Sequence, residues 1–251
     1  MVTMESRPAD KTETGSRAAA VLVLVNANAS GAGSQARLRE LAGWMREAGG
    51  EVELVRTGSV EELAAIWRED DGRRVVLVGG DGTVHEVANF DGPAREVALI
   101  PAGKANNIAH SLGIPTEWRE AARLAVSGEA RPVDLIEARA GEARRLVVEG
   151  VSVGFLAQAR VRYRGRNSGA VLAALRAGAA ALEHFHPLAA RVQHHDGREA
   201  LHLSQLFVAN LPLYEFGLRV APFADPTDAR LDVIGIEAPS RRAVLRMLLD
   251  L

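Results

Sequence analysis

Through the first half of the chain, short unbroken apolar runs alternate with stripes at helical spacing. The run over residues 18–25 leads into a Gly/Ser loop, after which Leu38, Leu41, Ala42, Met45 and Ala48 fall on one helical face. Gly49-Gly50 stops that helix. EVELV is the next strand, and SVEELAAIWRED the next helix, with Ser59 as N-cap and Glu62 completing a capping box. RRVVLVGG is a third strand. A short helix precedes a fourth, EVALIPAG, and NNIAHSLGI and TEWREAARLAVSG read as two more helices. Continuous apolar strands alternating with helices predict a parallel sheet covered on both faces.

From Pro132 strands dominate: VDLIEAR, RLVVEGV, AARVQHH, LHLSQLFVANL, LRVAP and LDVIGIE. Asp196-Gly197 reads as a hairpin turn. One apolar helix, GAVLAALRAGAAALEHF, interrupts, and SRRAVLRMLLDL reads as an amphipathic helix. No internal repeat is visible. The expected organisation is an unstructured tail over residues 1–17, an α/β domain over 18–130 and a β-rich domain over 131–251.

Composition narrows the chemistry. The chain has 251 residues, 47% of them apolar, so a sizeable core is available. A net charge of −2 gives no basic field for nucleic acid. The absence of cysteine excludes disulfides, thiolate catalysis and cysteine-ligated zinc. Arg17, the apolar run and Ala27-Asn28-Ala29 resemble a secretory signal. A short, valine-rich run behind a tail holding Glu5, Asp10 and Glu13 reads better as a buried strand. No stretch approaches the ~20 apolar residues that span a bilayer.

The chemistry concentrates where strands end. VVLVGGDGTVHEVANF runs a strand into Gly79-Gly80-Asp81-Gly82-Thr83 and then a helix. Glycines let backbone N–H groups approach a phosphate without Cβ atoms in the way. The following helix N-terminus adds partial positive charge. Asp81 could hold a magnesium ion, take a proton or bond a hydroxyl. Equally, the glycines could serve a tight turn, with Asp81 as a helix cap. The other strand ends add Asn26, Ser30, Thr57, Asn106 and Asn107, a set suited to a polyphosphate and a sugar. Neither Gly-x-Gly-x-x-Gly nor Gly-x-x-x-x-Gly-Lys-Ser/Thr occurs.

Other motifs have competing readings. Gly150-Val151-Ser152-Val153-Gly154 matches a nucleophile elbow, but no acid–histidine pair in a clear strand-end loop follows it. His184, His186, His194 and His195 lack metal-site carboxylate spacing. Arg160, Arg162, Arg164 and Arg166 surround Tyr163, either as a solvated face or as a contact for anionic lipid.

GGDGTVHEVAN resembles the Gly-Gly-Asp-Gly-Thr signature of the diacylglycerol kinase catalytic-domain family, which includes sphingosine kinases and bacterial lipid kinases. IPAGKANNIAHSLGIP is similar to that family's Pro-x-Gly-Thr-x-Asn-Asp stretch and its Leu-Gly-Ile-Pro. FGLRVAPFADPTDARLDVIGI resembles its Ala-Pro and Asp-Asp-Gly-x-Leu-Asp-Val stretch. The three occur in family order, from about Val21 to the end.

The resemblance implies an NAD-kinase-like α/β domain followed by a β-sandwich, with ATP and lipid meeting in the cleft between them. It implies transfer of the γ-phosphoryl of ATP to the hydroxyl of a diacylglycerol-like or sphingoid lipid. By match, nucleotide contacts fall on Asn26, Ala27, Asn28, Ala29, Ser30, Thr57, Gly80, Asp81, Gly82, Thr83, Val84, His85, Glu86 and Lys104. Asp81 becomes a central catalytic residue and Asp228 a structural Mg²⁺ ligand, with a further Mg²⁺ carried by ATP. The implied partners are nucleotide and a lipid at a membrane surface, and the implied location is cytoplasmic or peripheral to a membrane.

The chain departs from the family pattern at His85 (usually Asn), Lys104 (Thr), Asn107 (Asp) and Ala229 (Gly). The family's Asp-Gly-Glu segment, whose glutamate is thought to be the general base, is not found in the 251 residues. The expectation is a fragment or degenerate member that binds nucleotide, phosphorylates lipid poorly and self-associates. A catalytically impaired nucleotide- or lipid-binding relic is the alternative.

Overall fold

Strand β2 (Ala20–Asn26) sends alternate side chains into two separate cores. Val21, Val23 and Val25 pack with Leu38, Leu41 and Met45 of α1 (Gln35–Glu47) and with Trp118 and Ala122 of α5 (Trp118–Ser127). Leu22 and Leu24 pack with Leu63 and Trp67 of α2 (Val60–Arg68). A strand buried on both faces has no polar alternation, which is why its sequence reads as one apolar run.

The computed structural model describes residues 2–7, 20–29, 31–69, 71–155, 157–158, 188–194, 197–214, 217–237 and 240. β2 pairs in parallel with β3 (Glu51–Thr57) and with β4 (Arg74–Gly79), and β4 pairs with β5 (Val97–Pro101), giving the sheet order 3-2-4-5. Asn26 lies opposite Thr57, Val25 opposite Val78, and Gly79 opposite Pro101, so the strands end together at one edge. Two short helices leave that edge, α3 (Asp81–Val87) and α4 (Asn107–Ser111). At α2, the Ser59 hydroxyl accepts from the Glu62 amide at 3.1 Å. The Glu62 carboxylate reaches back one residue further than a capping box requires and accepts from Gly58 N at 2.7 Å.

The tail expectation is corrected at its start. Val2–Arg7 forms strand β1, antiparallel to β6 (Leu135–Ala140), which also pairs with β7 (Ala143–Val147). Only Val2 to Glu5 alternate apolar with polar, and the ladder of a strand more than a hundred residues away pairs all six residues. The first strand, expected over 18–25, is observed at Ala20–Asn26.

The chain forms two units, Met1–Glu149 with Asn210–Leu231, and Gly150–Ala209 with Asp232–Leu251. The change of character expected near residue 130 therefore lies inside the first unit, and the division falls at Gly150. Asn210 shows why the chain returns: its buried Nδ2 donates to the carbonyls of Asp134 at 2.8 Å and Val148 at 2.9 Å. The returning segment carries a small hairpin, β12 (Leu213–Tyr214) with β13 (Leu218–Arg219).

The second unit is β-rich, as expected. In it β11 (Gln205–Ala209) lies between β8 (Gly150–Gly154) and β14 (Asp232–Ile236), and β9 (Leu188–His194) pairs with β10 (Gly197–Leu203). Ser152 is paired with Phe207 in mid-strand. A nucleophile elbow needs its serine on a sharp strand-to-helix turn, so the esterase reading is not supported. The arginines at 160–166, the apolar helix at 169–185, the His184, His186 and His195 side chains, and the helix after Ser240 lie outside the described residues. So does the side chain of His194. Among the described residues no helix is long and apolar enough to cross a membrane.

Candidate functional site

The three glycines around Asp81 turn out to have three different reasons. A Cβ on Gly79 would lie 2.5 Å from Thr83 Oγ1, so that position is filled by the threonine folding back over the strand end. A Cβ on Gly80 would lie 2.7 Å from the Cα of Gly103, so two strand-end loops touch there backbone to backbone. A Cβ on Gly82 would meet nothing within 4 Å. Packing demands the first two glycines and leaves the third facing open space.

Polar side chains knit the same edge together. Asn26 Nδ2 donates to Thr83 Oγ1 at 3.0 Å, and Asn26 Oδ1 accepts from Asn28 N at 3.0 Å. Asn28 Nδ2 donates to Gly58 O at 2.8 Å, tying the β2 loop to the β3 loop. Thr57 is 2% exposed, and its hydroxyl donates to Val25 O at 3.3 Å. Ala27 N donates to Thr57 O at 3.0 Å. Asn26, Ala27, Asn28, Thr57 and the 80–83 turn are thus brought to one place. Ser30 lies outside the described residues.

Asp81 does cap a helix, but not its own. Its Oδ1 accepts from Ile108 N at 3.0 Å, in the first turn of α4. That helix needs an outside acceptor because its N-cap, Asn106, is left-handed (φ 50) and makes no side-chain cap bond. Asn106 instead clasps Gly103, accepting from its N at 2.8 Å and donating to its O at 3.1 Å. This clasp presents Lys104 as an exposed cation beside the glycine contact.

The remaining matched residues of α3 have protein partners of their own. Val84 packs with Ile108 and Leu211. His85 Nδ1 lies 3.8 Å from Glu149 Oε2, and Glu86 pairs with Arg145 of β7 at 3.1 Å. Asn89, which the sequence reading gave no role, completes this attachment. It donates to Leu146 O and accepts from Leu146 N, both at 2.8 Å, as a strand would. Only its place at the end of the glycine motif marks it in the sequence.

Asp228 is exposed, and its Oδ1 accepts from Arg230 N at 2.9 Å. Its loop is anchored by Asp134, 4% exposed, whose Oδ2 accepts from Ala229 N at 2.7 Å. Ala229 has φ 57, the conformation that favours the family's glycine. Among the described residues no three histidines or carboxylates converge to hold a metal ion. A cation at Asp228 would therefore rely on at most two side-chain ligands, with backbone carbonyls and water, a donor set that fits Mg²⁺ better than a transition metal.

Residues 20–138 match the diacylglycerol kinase catalytic domain, and residues 150–251 match the YegS C-terminal NAD kinase β-sandwich-like domain. Residues 20–138 belong to the diacylglycerol kinase catalytic-domain family. Relatives named "Probable lipid kinase YegS" from Salmonella newport (strain SL254) and Salmonella heidelberg (strain SL476) are each 35% identical over 108 residues. That match covers 39% of this chain and about a third (36%) of either relative's length. A crystal structure described as a diacylglycerol kinase from Bacillus anthracis str. Sterne covers 92% of this chain and 78% of its own, with TM-score 0.65 and 22% identity. A second structure from that organism covers 92% of this chain and 79% of its own, with TM-score 0.71 and 19% identity. These likenesses bear on the fold: a family α/β domain with a parallel sheet, followed by a β-rich one.

Proposed function

We propose that this chain is an ATP-dependent lipid kinase whose Gly80–Thr83 turn receives the nucleotide phosphates. The observation that carries the reading is Gly82, a glycine that packing does not require and that fronts open space beside exposed polar loops. An amide without a neighbouring Cβ lets a phosphate oxygen approach the backbone. Asn26, Asn28 and Thr57 shape the adjoining strand ends. The loop holding Lys104 adds a point charge suited to a phosphate. Ser30, Val84, His85 and Glu86 remain proposed nucleotide contacts by family match, although Glu86 also serves the attachment to β7.

In the proposed reaction, a lipid hydroxyl oxygen bonds to the γ-phosphorus while the bridging bond to the β-phosphate breaks, releasing ADP. The hydroxyl proton must leave to a base. Asp81 has the geometry for two tasks: Oδ1 is committed to Ile108 N, and Oδ2 has no hydrogen bond among the described residues. Mg²⁺ carried by ATP would supply charge neutralisation, and Asp228 is the proposed ligand of a separate, structural Mg²⁺. The protein's own contribution is mainly positioning, as is usual for phosphoryl transfer. The lipid, diacylglycerol-like or sphingoid, would be met at a membrane surface from the cytoplasmic side.

The test is transfer of labelled phosphate from ATP to diacylglycerol in mixed micelles. Wild type should label the lipid and Asp81→Asn should not, although both fold. Equal labelling by the two proteins would return Asp81 to a purely structural role, and no labelling by wild type would contradict the kinase reading.

A further inference from the structure

Consecutive residues at the start of α4 make hydrogen bonds to two different segments. Ile108 N donates to Asp81 in the glycine turn at 3.0 Å. Asn107 Oδ1, on a side chain 3% exposed, accepts from Gly217 N at 3.1 Å. Gly217 has φ +80 and leads directly into β13, so its amide direction sets that of the hairpin's second strand. Ile108 is buried with Val148 and Leu211, which leaves α4 little room to shift without moving its neighbours. The helix has five residues and no cap of its own, so it is too short to hold its geometry unaided.

We propose that Asp81 and Asn107 form a positioning relay in which the capped helix α4 fixes the 213–219 hairpin relative to the glycine turn. Among the described residues Asp81 makes no hydrogen bond to the hairpin, yet its carboxylate orders the helix that presents Asn107. Asn107 is then a positioning residue for the proposed kinase site: its oxygen is engaged by Gly217 N, and it ties the turn that would receive nucleotide to a segment 110 residues away. The departure from aspartate at this position keeps the acceptor oxygen that the bond to Gly217 needs. Occupancy of the glycine turn should therefore be felt at the hairpin; this arm rests on the nucleotide reading.

Hydrogen exchange on the full chain tests the relay in the absence of any ligand. Asn107→Leu, close in size but without an acceptor, should speed exchange in peptides covering 213–219 on the order of tenfold. Asn107→Asp, which keeps the acceptor, should not. Asp81→Ala should also speed exchange at the hairpin, and Asp81→Asn should restore it, because an amide oxygen can still cap α4. Hairpin exchange unchanged in both Asn107→Leu and Asp81→Ala overturns the relay, as does faster exchange in Asn107→Asp equal to that in the leucine variant.

A second arm adds Mg-ATP. In wild type it should slow exchange at 79–88 and at the hairpin, and in Asn107→Leu at 79–88 alone. Slowing confined to 79–88 in wild type overturns the relay. No slowing at 79–88 contradicts the nucleotide reading, and the ligand-free comparison then decides the relay by itself.

Discussion

Gly80 and Gly103 meet so closely that a methyl group on either would lie 2.7 Å from the other's Cα. This contact brings the loop after β4 against the loop after β5, and it has no flexible side chain that could yield. Gly80→Ala and Gly103→Ala should each destabilise the protein by roughly 1–3 kcal/mol through overpacking. Gly82→Ala should be neutral or slightly stabilising, since the site is open and alanine favours helix over glycine. Urea denaturation of the three variants checks the order; a Gly82→Ala variant as unstable as Gly80→Ala would show that the open space is not there.

Asp81 offers a separation of stability from chemistry. Asp81→Asn should leave the melting temperature nearly unchanged, because Asn caps about as well as Asp. Asp81→Ala should cost about 1 kcal/mol by leaving Ile108 N without its acceptor. Thermal melts of both variants provide the measurement, and a large loss in Asp81→Asn would mean that its negative charge holds α4.

Ala229 carries a left-handed backbone in the loop tied to Asp134. An L-residue pays about 1–2 kcal/mol there, and glycine relieves it at some cost in unfolded-chain entropy. Ala229→Gly should therefore stabilise the protein, by about 0.5–1 kcal/mol. A lower denaturation midpoint would contradict the backbone assignment.

Glu137 lies between Arg144 and Arg139, whose guanidinium groups hold its carboxyl at about 2. A depressed folded-state value gives stability that is present above the ordinary value of 4.5 and is lost as pH falls toward 2. Glu137→Gln should lower stability at pH 7 and flatten the decline between about pH 4.5 and 2. Melts across that range check it; parallel curves for variant and wild type would show that the pairing contributes nothing.

How much of this could be read from sequence depended on the range of the interaction. The parallel strands were legible because Val21 to Val25 are buried on both faces, and α1 because its buried residues recur at helical spacing. The setting of the glycine turn was legible, with a strand before and a helix after. Local pattern could not reveal that Asp81 caps a helix 27 residues later, or that Asn107 reaches Gly217 across 110. Such bonds leave no periodic trace. Strand β1 was missed for the same reason: its six residues alternate weakly, and their partner lies in β6. The division at Gly150 was missed because the strand-rich sequence near residue 132 gives no sign that Asn210 brings the chain back.

The central claim is that the Gly80–Thr83 turn receives ATP phosphates, and calorimetric titration with Mg-ATP of wild type and Gly82→Val tests it most directly. The valine would fill the space that Gly82 leaves open. The account predicts measurable binding by wild type and at least a tenfold loss, about 1.4 kcal/mol, in a variant that keeps its fold. Equal affinity in the two proteins would contradict it and remove the glycine turn from the nucleotide site.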